Sequence, residues 1–175
     1  MFGLTLLGAV HTAFSIVALV AGYALIIRNG RIEGQSTLGR TYLWCTVVTC
    51  LTAFGIFRHG GFNIAHVLAI VTLVALAIAV AAHRTRFLGG LSPYVETLGY
   101  SFTLFCHMIP GLNETFTRVP VGAPLFTGPD DPALQKAIGV VFLLFLILMA
   151  VQAWRIRKGP AAGRVAASPG RSTAS

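Results

Sequence analysis

Five apolar blocks divided by short polar stretches run along the chain, at about Leu4–Ile27, Thr41–Phe57, Phe62–Ala82, Pro93–Gly111 and Leu134–Trp154. A helix that crosses a bilayer needs roughly 20 mainly apolar residues. The second block is short and the fourth carries several polar residues, so these two depart furthest from that pattern. The predicted fold class is all-α: an integral membrane helical bundle of five transmembrane helices. The first block lacks a basic leader and a small-residue cleavage site, so it reads as a retained span and not as a signal peptide. Gly60-Gly61 predicts a tight hairpin between blocks two and three. Pro120, Pro124, Pro129 and Pro132 predict a loop over residues 111–133. Residues 1–158 then form one transmembrane domain, and "GPAAGRVAASPGRSTAS", residues 159–175, reads as a disordered tail.

Charge orients the bundle. With the N-terminus outside, the cytoplasmic side collects Arg28, Arg31, Arg40, Arg84, Arg86, Arg155, Arg157, Lys158, Arg164 and Arg171. Arg58, Arg118 and Lys136 stay outside with the acidic Glu114, Asp130 and Asp131. That bias follows the positive-inside rule and predicts an N-terminus outside and a C-terminus in the cytoplasm.

Composition narrows the class. Of 175 residues 55% are hydrophobic and 10% charged, with a mean hydropathy of +0.79. Soluble domains carry about 25% charged residues, so the bilayer is the expected partner. The net charge of +8 sits at block edges and forms no patch interleaved with aromatics, which argues against nucleic acid. Arginine far outnumbers lysine, as in a GC-rich bacterial genome, so the expected location is a bacterial cytoplasmic membrane. Cys45, Cys50 and Cys106 lie inside apolar blocks without a C-x-x-C pair and read as small buried residues.

Candidate chemistry rests on histidine. His11 lies about seven residues from the outer end of its block, and His66 and His107 about four. At 1.5 Å per residue that is a depth of roughly 6–11 Å, one layer in the outer leaflet. His59 sits just outside this layer and His83 at the cytoplasmic side. In block one, Gly8, His11, Ser15, Ala18 and Gly22 form a stripe of small and polar residues that turns His11 into the bundle. In block four, Glu96, Tyr100, Thr103 and His107 follow steps of four, three and four, a polar stripe about 60° wide. Glu96, an intramembrane acid, is a functional candidate by default, with Arg84 or Arg86 as its expected structural partners. Glu114 and Arg118 are placed to form a polar lid over the histidines.

Three readings stay open. Imidazoles from different helices can ligate haem b, hold a transition metal such as copper or zinc, or exchange protons with a quinone. The same histidines can instead join helices in an accessory protein of a membrane partner subunit or a homo-oligomer. A proton-coupled transporter would use Glu96 and His107. No H-x₃-H or HExxH motif, hydrolytic nucleophile or phosphate loop is present.

The segments "GAVHTAFSIVALVAGYALI", "GQSTLGRTYLW" and "FNIAHVLAIVTLVALAIAVAAHR" resemble a bacterial family of small multi-pass membrane proteins, catalogued as domain of unknown function 2306, over roughly residues 8–107. The matching marks are His11, Gly39 with Tyr42, and the run from Phe62 to Ile70 that contains His66. Gln35 and Ser36 stand where the family often has His-Arg. The resemblance implies a multi-pass fold, singles out His11 and His66, and supplies no reaction.

Overall fold

The computed structural model describes residues 5–56 and 61–158. The Gly60 half of the expected hairpin, Arg58, His59 and the expected tail with Arg164 and Arg171 lie outside the described residues. Five α-helices follow in order: α1 (Leu6–Asn29), α2 (Thr37–Ala53), α3 (Ile64–Thr85), α4 (Ser92–Phe116) and α5 (Pro132–Lys158). A 3-10 turn at Gly89–Leu91 leads into α4. Among the described residues there is no strand.

Local chemistry sets the helix ends. Thr5 caps α1, its hydroxyl accepting from the Gly8 N–H at 3.1 Å. Ser36 caps α2 through the Gly39 N–H at 3.0 Å, so α2 starts four residues before the apolar block does. Gly30 closes α1 in the left-handed conformation at φ 72°, its N–H bonded to the Ile26 carbonyl. Asp131 caps α5 by accepting from the Ala133 N–H at 2.8 Å. The expectation of a loop from residue 111 is corrected: α4 runs through Pro110 and ends at Phe116. Proline loses one backbone bond and strains a helix, but here the helical run on both sides carries across it.

The helices alternate in direction. His11 near the start of α1 meets Thr49 and Thr52 at the end of α2. His83 late in α3 meets Glu96 early in α4. Ser101 in the first half of α4 meets Gln152 late in α5, whose amide also reaches the Gly30 carbonyl beyond α1. The closest packing joins α1 with α2 and α3 with α4, α5 lies on α4, and α2 meets α3 more loosely.

Ala18, Ala21, Leu25, Tyr42, Leu76, Ala79, Leu104 and Phe105 form the core. Small residues on α1 permit the close approach: a Cβ at Gly22 would lie 2.8 Å from Leu104 Cδ1 and 3.1 Å from the Tyr42 ring. Large apolar side chains such as Val20, Ile27, Val74, Leu143, Leu144 and Ile147 point outward. This arrangement, with small and polar residues inside and large apolar ones outside, suits a lipid solvent. α1, α3 and α5 are long and apolar enough to cross a membrane.

Candidate functional site

His11, His66 and His107 take three different roles. His11 places Nδ1 3.0 Å from the Thr49 carbonyl and 3.1 Å from Thr52 Oγ1. A carbonyl only accepts, so Nδ1 carries the proton of the neutral ring and Nε2 is left as an acceptor. His107 is buried on α4, with Nε2 3.1 Å from Thr46 Oγ1 on α2. His66 is buried at the start of α3, where Nδ1 accepts from the Asn63 N–H at 3.2 Å. Asn63 Oδ1 in turn accepts from the Ala65 N–H, so the imidazole takes the place of the usual Glu or Gln in a capping box. Phe54 and Phe62 stack on the His66 ring at 6.2 and 5.4 Å.

A cavity of about 150 Å³ lies between α1, α2, α3 and α4 at this level. His11 and His107 line it with Thr49, Cys50, Thr72 and Cys106, and Ala53, Leu68 and Ala69 supply apolar wall. Thr49 is 5% exposed, and its hydroxyl has no hydrogen-bond partner among the described residues. An unmatched buried hydroxyl costs roughly 1–3 kcal/mol, so its position on a cavity wall requires an explanation.

The sequence placed His11, His66 and His107 in one layer around a shared centre. His11 and His107 share the cavity, whereas His66 is drawn into the cap of its own helix and is not part of the wall. Among the described residues no group of three His, Cys, Asp or Glu converges in metal-holding geometry. The residues do not fit haem b either. Of the favoured pair, His66 is turned to its backbone, and a cavity of about 150 Å³ holds a single ring and not a porphyrin macrocycle.

The polar stripe of α4 does face the interior, with Tyr100, Thr103 and His107 all buried. It serves as separate links. Thr103 donates to the Tyr100 carbonyl at 2.9 Å, and Tyr42 Oη lies 2.6 Å from Thr103 Oγ1. Glu96 is half-buried and pairs with His83 at 2.8 Å, not with Arg84 or Arg86, because His83 is the residue on the face of α3 that meets α4. Glu96 and His107 are about 16 Å apart along one helix, with the Tyr42–Thr103 link between them. They form no joint site. Glu114, in the last turn of α4, pairs with Arg118 just past the helix end, and among the described residues neither hydrogen-bonds a histidine.

Several contributors escaped the sequence pattern. Thr46 and Thr49 are isolated polar positions in a short apolar block, with nothing in their spacing to mark them. Gln152 is 2% exposed within apolar α5 and bonds both Ser101 at 2.8 Å and the Gly30 carbonyl at 2.9 Å. An amide within an apolar block was a usable signal for it. No family model, curated protein or solved structure matches the chain, so the family resemblance rests on the sequence marks alone.

Proposed function

We propose that this chain is a five-span protein of a bacterial cytoplasmic membrane, N-terminus outside and C-terminus inside. In this reading it acts as an accessory membrane protein that binds a quinone-class head group in the outer-leaflet cavity. The alternating helix directions support the span count, as they gather Arg28, Arg31, Arg40, Arg84, Arg86, Arg155, Arg157 and Lys158 at one end. α2 and α4 are less apolar because their polar side chains, Thr46, Thr49, Ser101 and Thr103 among them, face protein. With 17 residues α2 is roughly 25 Å long, near the 30 Å of a hydrocarbon core.

One observation carries the binding role: the unmatched Thr49 hydroxyl on the wall of a cavity that His11 and His107 also line. An apolar cavity of about 150 Å³ accommodates one benzene-sized ring. The Thr49 hydroxyl can donate to a ring carbonyl, and His11 Nε2 can accept from a ring hydroxyl, so both oxidation states of a quinone find a partner. Such molecules dissolve in the bilayer and reach the outer leaflet without crossing water.

Decylubiquinone added to the detergent-purified protein is expected to raise its unfolding temperature. The stabilisation is about 2.7 kcal/mol at a hundredfold excess over Kd. Ala69→Phe, which fills the cavity wall, should remove that shift while the protein stays folded. A wild-type protein with no shift and no co-extracted quinone would leave the second reading, in which the histidines only join helices. The bonds from His11 to Thr49 and from His107 to Thr46 favour that alternative.

A further inference from the structure

A second cleft, of about 390 Å³, opens at the basic end of the bundle between α2 and α3, the loosely packed neighbours. Its lining descends in register on both helices. On α2, Arg40, Leu43, Trp44 and Val47 recur at steps of three, one and three; on α3, Arg84, Val80 and Leu76 recur at steps of four. Because the helices are antiparallel, both rows put arginine at the mouth and aliphatic side chains one and two turns deeper. Tyr100, Gly34 and Gln35 complete the wall.

The two guanidinium groups are available to an anion. The ion pairs among the described residues are Arg31–Glu33, His83–Glu96 and Arg118–Glu114, and neither Arg40 nor Arg84 takes part in them. Arg40 donates its Nε to the Gln35 carbonyl at 3.2 Å, which fixes the side chain and leaves the terminal nitrogens without a hydrogen bond among the described residues. Trp44 is 70% exposed one turn below, as in the aromatic belts found at membrane interfaces.

We propose that this cleft binds one anionic phospholipid, its phosphate between Arg40 and Arg84 and an acyl chain along Leu43, Val47, Leu76 and Val80. Guanidinium binds phosphate oxygens through paired N–H donors, which a single ammonium cannot reproduce. Two cations at the mouth also disfavour a choline head group, so the site selects against zwitterionic lipid. Basic pockets between spans on the cytoplasmic side are a known form of lipid recognition. The proposal requires the bundle to lie in a bilayer, and it is independent of the outer cavity and its ligand.

The test is native mass spectrometry of the full chain in detergent with phosphatidylglycerol, phosphatidylcholine or inorganic phosphate. One phosphatidylglycerol should remain bound where phosphatidylcholine does not. The double variant Arg40→Gln, Arg84→Gln should lose affinity by roughly 30-fold, from about one ion's worth of attraction at each arginine. Arg155→Gln with Arg157→Gln, at the same end but outside the cleft, should leave binding unchanged. Both cleft arginines are exposed, and single variants carry the same test if the double variant misfolds. Equal retention of phosphatidylcholine would overturn the proposal, as would wild-type affinity in the cleft variants. Displacement of the lipid by millimolar inorganic phosphate would overturn it in favour of a free-anion site.

Discussion

The middle of the bundle and the end that holds His11 and His107 use the same residue types to different effect. In the middle, Tyr42 meets Thr103, Thr103 meets the Tyr100 carbonyl, and Gln152 meets both Ser101 and the Gly30 carbonyl. Those side chains are buried and matched, and they tie α1, α2, α4 and α5 together. At the other end His11 and His107 also bond α2, but the Thr49 hydroxyl is left over beside a cavity. Buried polar groups between these helices thus act as glue where donors and acceptors balance. Where they do not balance, they offer a partner to something else.

The comparison breaks most severely at Gly39. A Cβ there would sit 1.9 Å from the Glu33 carbonyl oxygen and 2.9 Å from Gly34 Cα, both backbone atoms. Gly39→Ala should therefore destabilise by about 3 kcal/mol or more and sharply reduce folded yield in thermal unfolding. Gly139→Ala, with open space around it, should be neutral or mildly stabilising.

Next in size are the matched links. Gln152→Leu strands Ser101 Oγ and a backbone carbonyl, and Thr103→Val takes away the hydroxyl that meets Tyr42 Oη. Hydrogen bonds between membrane helices average about 0.6 kcal/mol with a maximum near 1.7. Each variant loses two bonds and should lower the unfolding temperature by a measurable amount. Thr49→Val should do the opposite. Removing an unmatched hydroxyl at nearly constant shape is expected to leave the ligand-free protein as stable or more stable, while weakening its response to decylubiquinone. A clear loss of stability in Thr49→Val without ligand would erase the contrast between the two regions.

The smallest expected effect lies at the surface, at the start of α5. N–H groups of Thr127 and Ala133 hold the Asp131 carboxyl below the usual carboxylate range. Its contribution to the start of α5 is therefore present above the ordinary carboxylate pKa and is lost as pH falls through the lower, folded value. Asp131→Asn should flatten that acid limb slightly in a pH series of unfolding temperatures.

Much of the fold was legible because its cause is local. Apolar blocks placed the helices to within a turn at most ends, and the spacing of Glu96, Tyr100, Thr103 and His107 identified a face of α4 that is indeed turned inward. The same logic failed at residue 111, where counting prolines predicted a loop and the helix continued to Phe116. For the site, the sequence named His11, His66 and His107 together, and the structure places His11 and His107 on one cavity and His66 in the cap of α3. Its depth was readable, but the competition between a shared centre and the Asn63 cap depends on three-dimensional geometry.

By itself the sequence determined the helices, the apolar surfaces, the separation of basic from acidic ends and the inward stripes. Each follows from a period of 3.6 residues or from solvation of single side chains, and needs no knowledge of the neighbour. Only the tertiary structure decided which polar atoms meet. A shift of one helix by a single turn, about 5.4 Å, would keep every stripe facing inward and still exchange partners along it. The register of α2 against α1 and α4 is what bonds His11 to the Thr49 carbonyl and His107 to Thr46, and leaves the Thr49 hydroxyl over. That register is set by long-range packing, such as Gly22 against Tyr42 and Leu104, which no single segment of the chain encodes.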